Sequence, residues 1–405
     1  METVVKQTFA SLRVRNFRLY FMGQGLSLCG TWAQTIAISW LILQLTHSGT
    51  QLGLVTAAQF LPIFILGVWG GVIADRFSKR KLLYYTQTTA GVIALILGLL
   101  VATHHIHVWE VYALSALLGL SMVVDNPTRQ TFVMEMVGQD LIKNAVTLNS
   151  MMVNLARVVG PSIAGILIAT VGVGPCFLIN AASYLAVLAA LMLMRKAEFH
   201  PAVTAGREPG QVRAGLKYVW HTPVLRSTLL MMLIIGTFAY EFPVVLPLFA
   251  TAGLHGNAST YSLLTAAMGI GAVIAGLYAA GRHTTTPRSV IKAAIWFGLS
   301  LLLATITPNR MTAYIALMIV GGLSVLFISQ GNTVLQLTST PQMRGRVMAL
   351  WTIAFLGTTP IGGPIVGFIS DHTNPRAALA VGGVSALLAA GLGLYLSRPS
   401  TAVQQ

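Results

Sequence analysis

The amino-acid sequence predicts an all-α membrane protein with twelve transmembrane helices, arranged as two pseudo-symmetric six-helix bundles. Of its 405 residues, 55% are hydrophobic and only 9% are charged, whereas soluble domains carry about 25% charged residues. About twelve apolar runs are long enough to cross a bilayer, which takes roughly 20 residues. The lysines and arginines are also distributed as the loops of such a protein require.

Composition and motifs exclude several other classes of protein. So few charges argue against a water-soluble enzyme, and two cysteines in apolar runs argue against a secreted disulfide scaffold. The net charge of +15 could suggest a nucleic-acid partner, but its placement indicates orientation in a membrane. The sequence contains neither a phosphate-binding loop nor a nucleophile–base pattern. We therefore expect no enzymatic activity, no cofactor, no metal site and no nucleic-acid binding.

The apolar runs are bounded by polar interruptions, and each run predicts one helix. They are too long and unbroken for the alternating strands of a β-barrel, which are about ten residues long. Glycine-rich runs suit closely packed helices in lipid. In chain order, the predicted helices are 18–45, 51–74, 82–102, 108–126, 147–169, 175–194, 227–250, 260–281, 289–307, 312–337, 347–369 and 376–397.

The basic residues predict how these helices are oriented. With a cytoplasmic N-terminus, 22 of the 25 lysines and arginines fall on the inner side, as the positive-inside rule requires. Only Arg310 and Arg376 are assigned outside, and Arg157 lies within a helix. We expect a multi-pass protein of the cell inner membrane with both termini cytoplasmic and no cleaved signal peptide.

The predicted organisation is a bundle at 1–194, a cytoplasmic linker at 195–226 and a second bundle at 227–405. Within the linker, apolar residues from Gln211 to Trp220 share one helical face, which predicts a short amphipathic helix at the membrane surface. The two halves match weakly at a shift of 202 residues, which places Gly362 on Gly160. Parallel repeats of this kind occur in transporters.

One loop carries the most specific motif, Gly-Val-Ile-Ala-Asp-Arg-Phe-Ser-Lys-Arg-Lys at 71–81. It closely resembles the signature loop between helices 2 and 3 of the major facilitator superfamily. The resemblance implies a conformational latch in which Asp75 caps a helix or pairs with a basic residue and Gly71 allows close helix contact. Lys79 is expected to act mostly as an anchoring charge. The latch candidates are Gly71, Asp75, Arg76, Lys79 and Arg80.

Further stretches narrow the branch of that superfamily. Arg157, Gly160, Pro161 and Gly165 are similar to the Gly-Pro motif of exporters, which implies a tight, leak-proof helix contact suited to antiport. Together with 16–32, 125–130 and 340–346, they resemble the enterobactin-exporter-like, drug-efflux branch, which contains siderophore and drug exporters.

Ionisable residues inside a span are costly and predict function. Glu241 is the sharpest case, because Pro243 and Pro247 follow it and open the helix around it. It could exchange a proton, attract a cationic substrate, or serve the structure alone.

Asp125, Arg129 and Arg157 form a second charged set, for coupling or as a structural ion pair. Asp125 and Arg129 are four residues apart, although Pro127 lies between them. Asp125 is the expected partner of Arg157.

Other polar or aromatic residues could line a cavity or join helices. These candidates are Gln24, Trp32, Gln34, Gln59, Asn149, Asn154, Asn180, Gln330, Asn332 and Gln336.

The residues and the resemblance together predict a secondary active exporter of small amphipathic molecules, drug-like or siderophore-like. It would work by alternating access, with protons as the coupling ion, and as a monomer in the lipid bilayer. Two alternatives stay open: an importer or lysophospholipid flippase on the same fold, and a non-transporting receptor.

Overall fold

Helices make up nearly all of the chain that the structure, a computed structural model, describes: residues 9–200, 211–280 and 285–396. No β-strand occurs in these ranges, so the all-α membrane class is confirmed. In chain order the helices are α1 (Arg15–Thr46), α2 (Gly49–Arg76), α3 (Lys79–Ala102), α4 (Val108–Val171), α5 (Gly174–Leu193), α6 (Gln211–His221), α7 (Pro223–Phe238), α8 (Phe242–Leu248), α9 (Ala258–Ala280), α10 (Pro287–Thr305), α11 (Arg310–Thr338), α12 (Pro341–Leu356), α13 (Thr359–His372) and α14 (Pro375–Leu396).

The segment α4, of 64 residues, consists of two helices that meet at a kink at Gly138, and each is long enough for one crossing. Both predicted helices, 108–126 and 147–169, are present, but each extends into the predicted loop, so that a kink at Gly138, whose φ is 71°, separates them in place of a loop. Hydropathy predicts which segment of a helix lies in lipid. A polar segment outside the lipid can still continue the same helix. Within the described residues, 11 segments could span a membrane. Dividing α4 at Gly138 brings the number to the predicted twelve.

Two predicted single helices are each broken by a proline. The ring of Pro243 conflicts with a helical carbonyl four residues earlier, at Ala239, and α7 ends at Phe238. A π-helical turn, Phe249–Gly253, then follows α8. The opening expected around Glu241 is thus confirmed. The predicted helix 347–369 is likewise divided into α12 and α13, because Pro360 acts in the same way on the carbonyl of Leu356.

The chain forms two compact units. Unit 1 contains the described residues of Met1–His47, Ala58–Ala205 and Asn257–Ala266. In it, α1 packs on α4 and α5, and a buried cluster including Phe17, Tyr20 and Phe132 lies among these helices.

Unit 2 contains the described residues of Ser48–Ala57, Gly206–Gly256 and Ala267–Gln405. In it, α9 and α11 touch through glycines: a Cβ on Gly271 would clash with the carbonyl of Met318, and one on Gly321 with that of Met268. The units thus group short segments of one sequence half with the other half. The domain limits at 194 and 227 stay a prediction.

The predicted amphipathic helix of the linker is present as α6. Gly215 packs against the side chain of Arg346, and the hydroxyl of Tyr218 accepts a hydrogen bond from the amide of Thr340 at 3.2 Å. These contacts dock α6 onto the beginning of α12. Linker residues 201–210 lie outside the described residues.

Candidate functional site

The latch loop is held within unit 1 by contacts that the sequence did not reveal. The ammonium of Lys79 lies 2.8 Å from the carboxylate of Glu135, and the side chains are 9% and 16% exposed. Lys79 is therefore not the exposed anchoring charge that was expected. Glu135 was missed because it lies within the predicted loop after 126.

The side chain of Arg80, at the beginning of α3, lies against the C-terminal end of α5. Its guanidinium donates to the carbonyls of Leu191, at 2.8 Å, and Met192, at 3.2 Å, and lies 5.8 Å from the ring of Tyr84. The last carbonyls of a helix lack partners inside it and carry partial negative charge, which favours a cation there.

The remaining latch residues lie at the end of α2. Asp75 is half-buried and Arg76 is exposed. Next to Gly71, at Gly70, a Cβ would clash with the carbonyl of Val123 in α4. The switching role of this loop remains a prediction.

Asp125 is fully occupied by neighbours other than Arg157. One carboxylate oxygen lies 2.6 Å from the guanidinium of Arg129, and the other accepts hydrogen bonds from Thr86 and Gln87, each at 2.7 Å. The expected Asp125–Arg157 pair is therefore wrong. Because α4 continues through Pro127, Asp125 and Arg129 face the same side of one helix.

Arg157 stacks on Trp32, with its guanidinium carbon 5.3 Å from the ring centroid. Three residues later, a Cβ on Gly160 would clash with Trp32 and with the carbonyl of Cys29 in α1. Gly160 and Pro161 are buried, and the Cβ position of Gly165 is occupied by Ser262. Gly160 therefore lies at a close contact between α4 and α1, and the role of the exporter-like motif in transport stays a prediction.

Glu241 lies in the break between α7 and α8 and is 2% exposed. Neither carboxylate oxygen has a hydrogen-bond partner of normal geometry among the described residues, and the hydroxyl of Thr359 is its polar neighbour. Next to it, the hydroxyl of Tyr240 donates to the carbonyl of Ser324 at 2.8 Å. The break between α7 and α8 therefore places the carboxyl group of Glu241 inside the protein. The hydrogen bond to Ser324 fixes the neighbouring side chain of Tyr240.

Half of the ten uncharged candidates bond to one another or to backbone. The amide of Asn180 donates to the side chain of Gln34 at 2.7 Å, both buried, and Gln336 donates to Asn332. Asn154 bonds the carbonyl of Ser150 in its own helix. Gln24 is buried, and the remaining four are half-buried: Gln59, Asn149, Gln330 and Trp32. The hydrogen bond between Asn180 and Gln34 joins α5 to α1, and this structural role explains why both polar side chains are buried.

Sequence reasoning also missed Asp371, two residues beyond the predicted helix 347–369. Its carboxylate accepts hydrogen bonds from the Ser48–Thr50 turn that begins α2. An acidic residue at the end of an apolar run gives no sign of which distant turn it contacts.

The chain is similar to known proteins over nearly its whole length. It matches the family described as transmembrane secretion effector over residues 6–404. The staphyloferrin A transporter of Staphylococcus aureus (strain NCTC 8325 / PS 47) is 24% identical, over 94% of this chain and 96% of its own. The multidrug efflux pump Tap of Mycolicibacterium fortuitum is 24% identical, over 91% and 92%. The enterobactin exporter EntS of Citrobacter koseri is 26% identical, over 94% and 91%.

Solved transporter structures share the fold. A bacterial homolog of the human lysosomal transporter Spinster, inward-facing and occupied, matches with a TM-score of 0.73 at 16% identity, over 95% of this chain and 97% of that one. At this identity the likeness shows the fold alone.

Proposed function

The chain belongs to the transmembrane secretion effectors of the major facilitator superfamily, and from this premise we propose that it exports small amphipathic molecules by alternating access, driven by inward proton flow. It is a transporter and not an enzyme. The observation that carries the coupling part of the proposal is the buried carboxyl of Glu241 in a broken span.

Glu241 has the properties that a proton carrier in a membrane needs. Its carboxyl group is enclosed inside a broken span, with the hydroxyl of Thr359 as its polar neighbour, and ionisable side chains in such positions mark proton pathways in transporters. The break at Ala239–Glu241 allows this environment to change without unfolding a continuous helix. Movement of α8 relative to α13 would then alter how readily Glu241 releases its proton.

Asp125 is the weaker coupling candidate. Its negative charge is already balanced by Arg129, and its second oxygen accepts two further hydrogen bonds. These three partners already account for the buried carboxylate, which favours a structural role for the pair.

The cargo we propose is a drug-like or siderophore-like compound. Relatives named for staphyloferrin A, enterobactin and multidrug efflux support this class of molecule. The names of the efflux pump and the enterobactin exporter support the outward direction. The close contact of Gly160 with Trp32 supports export over import or lysophospholipid flipping, because a tight α1–α4 interface suits antiport. The latch loop at 71–81 supports transport over a receptor role. We place the protein in the cell inner membrane, as a monomer with both termini cytoplasmic.

Transport by purified protein in liposomes tests this proposal. A panel of siderophores and amphipathic drugs is assayed with and without a pH gradient, beside empty liposomes and a Glu198→Gln control. Glu198 is a partly exposed acid paired with Arg195, so this control should match wild type. We expect movement of at least one panel member against its gradient, only when the proton gradient is present. Accumulation that ignores the gradient, or runs inward, would contradict proton-driven export.

A further inference from the structure

The linker helix α6 presents an uncovered apolar ridge, formed by Leu216 and Trp220. These side chains are four residues apart on the helix and are 52% and 63% exposed. Gly215 and Val219, on the neighbouring face, are buried, and Gly215 packs against the side chain of Arg346 in α12. The helix is therefore docked by one face, and the apolar ridge projects from another.

A patch of basic side chains lies beside the apolar ridge, on α6 and on the first two turns of the helices that it contacts, α7 and α12. This basic patch consists of Lys217 on α6, Arg226 on α7, and Arg344 and Arg346 on α12. Lys217 and Arg344 are exposed, and the other two are half-buried. The guanidinium of Arg226 lies 5.6 Å from the ring of Trp220, so the basic patch is continuous with the apolar ridge.

The contacts that the basic patch makes supply no negative charge. Arg344 donates to the carbonyl of Gln336 at 3.0 Å, and Arg346 contacts the sulfur of Met343 at 3.3 Å. The Nε of Arg226 is buried and has no hydrogen-bond partner among the described residues. A carbonyl, a thioether and an aromatic ring therefore orient the three guanidinium groups without neutralising them.

The acids of unit 2 lie away from the basic patch. The described residues of this unit include two acids, Glu241 and Asp371. Glu241 follows Arg226 by 15 residues, about 20 Å along a helix. The carboxylate of Asp371 is bonded to the turn that begins α2. Neither acid can therefore balance the charge of the basic patch.

The basic residues of unit 1 differ in this respect, because three of them pair with acids. The pairs have distances of 2.6 to 3.2 Å and are Lys79 with Glu135, Arg129 with Asp125, and Arg195 with Glu198. Unit 1 thus neutralises part of its basic charge internally, whereas the described part of unit 2 leaves the charge of the basic patch to attract an anion.

The helix ends at the basic patch increase its positive potential. Arg226 and Arg344 are each the fourth residue of their helix, and neither first turn contains an acid. The amino end of a helix carries partial positive charge, which disfavours a cation there and favours an anion. An anion bound at the basic patch would therefore relieve the repulsion.

We propose that anionic phospholipids of the inner leaflet bind here, with their headgroup phosphates at the basic patch and their acyl chains along the apolar ridge. Basic clusters at the membrane surface attract such lipids, and an amphipathic helix buries its apolar side at the boundary of headgroups and acyl chains. A soluble anion would use the basic patch alone, whereas a lipid uses the apolar ridge as well. The distribution of basic residues predicts that this side is cytoplasmic. Such binding requires neither the proposed cargo nor the proposed coupling ion, so it stands independently of the proposed export.

Bound lipid should hold α6 in place on α12. The hydroxyl of Tyr218 accepts a hydrogen bond from the amide of Thr340 at 3.2 Å, and Gly215 packs on Arg346. The two helices thus share both these contacts and the basic patch. A ligand that binds only the docked arrangement stabilises it increasingly as the ligand concentration rises.

Native mass spectrometry of the full chain measures the lipid binding directly. The purified protein is equilibrated in detergent micelles that contain equal amounts of phosphatidylglycerol, which is anionic, and phosphatidylcholine, which has no net charge. We expect wild type to retain phosphatidylglycerol in preference. The variant with Lys217→Gln and Arg344→Gln, both exposed, should retain about tenfold less of it. The matched control, Lys81→Gln with Lys196→Gln, removes two exposed charges from unit 1 and should retain as much as wild type.

Two results of this measurement would overturn the lipid site. One is equal retention of phosphatidylglycerol by wild type and by the variant of the basic patch, or an equal loss in the control variant. The other is displacement of the bound phosphatidylglycerol by an excess of inorganic phosphate, which would assign the basic patch to a soluble anion.

A fluorophore on the apolar ridge tests the position of the acyl chains. Bimane is attached at Leu216→Cys in the full chain with Cys29→Ala and Cys176→Ala. The protein is reconstituted in vesicles of phosphatidylcholine alone, or of equal parts phosphatidylcholine and phosphatidylglycerol. Bimane emission moves to shorter wavelength in apolar surroundings, so we expect the shorter wavelength in the mixed vesicles. Adding Lys217→Gln and Arg344→Gln should abolish the difference between the two vesicles. Emission that does not depend on lipid composition in the labelled parent would overturn the contact of the apolar ridge with anionic lipid.

Discussion

The ammonium of Lys79 lies 2.8 Å from the carboxylate of Glu135, and the pair joins the beginning of α3 to α4. Both side chains are largely buried, so neither charge is well hydrated. A buried ion pair contributes little net stability, but removal of one partner is costly because the other charge is left alone. The most basic loop of the chain therefore contains one lysine that supports the interior of unit 1.

Lys79→Ala should lower the free energy of unfolding by about 3 kcal/mol, because it leaves Glu135 buried and unpaired. Lys81→Ala removes an exposed charge two residues away and should change stability by less than about 0.5 kcal/mol. Thermal unfolding of the purified proteins in detergent compares them. Adding Glu135→Gln should recover part of the loss, and no recovery would contradict the pairing.

Asp75→Asn should slow transport while leaving thermal stability close to that of wild type. The half-buried Asp75 is proposed to hold one conformer, and its amide analogue keeps the shape but loses the charge. Transport rate and unfolding temperature are measured on the same preparation, with Asp140→Asn, an exposed acid, as the control. A parallel fall in rate and stability would assign Asp75 a structural role.

Arg129→Gln should destabilise the protein more than Asp125→Asn. The arginine variant leaves a buried carboxylate without its cation, at a cost of about 3 kcal/mol. The asparagine variant keeps an oxygen that can accept from Thr86 and Gln87. Thermal unfolding of the two single variants and the double variant gives the coupling energy. Additive effects would show that the 2.6 Å contact contributes nothing.

The sequence predicted the spans well and the polar contacts poorly, for physical reasons. Twenty consecutive apolar residues are a direct consequence of bilayer thickness, so the apolar runs appear as helices. The break after Phe238 was foreseeable because Pro243 conflicts with a helical carbonyl at Ala239. The same rule applied to Pro360 would have predicted the break between α12 and α13.

Partners of charged residues could not be predicted in this way. Asp125 pairs within its own helix because α4 continues through Pro127, which hydropathy does not report. Asp371 meets a turn more than 320 residues away, and nothing local in the sequence specifies that turn. The glycine motif at 160 was better predicted, since a residue without a side chain favours close helix contact anywhere in lipid.

Gly160→Ala should destabilise the α1–α4 contact by about 1–3 kcal/mol, because its Cβ would overlap Trp32 and the carbonyl of Cys29. Gly276→Ala is the matched control, since a Cβ there meets nothing within 4 Å. Removing that glycine from a helix should stabilise slightly, by up to about 1 kcal/mol. Thermal unfolding distinguishes the two, and liposome leakage of protons reports whether the contact at Gly160 is tight.

The most direct test of the coupling role compares two modes of transport in the same liposomes containing Glu241→Gln. Uphill efflux driven by a pH gradient requires a proton to be taken up and released, so the permanently neutral glutamine should abolish it. Exchange of labelled for unlabelled substrate needs no net proton step, so it should continue near the wild-type rate for a neutral substrate. Loss of both modes together with thermal stability would make Glu241 structural. Uphill transport at the wild-type level would contradict proton coupling at Glu241.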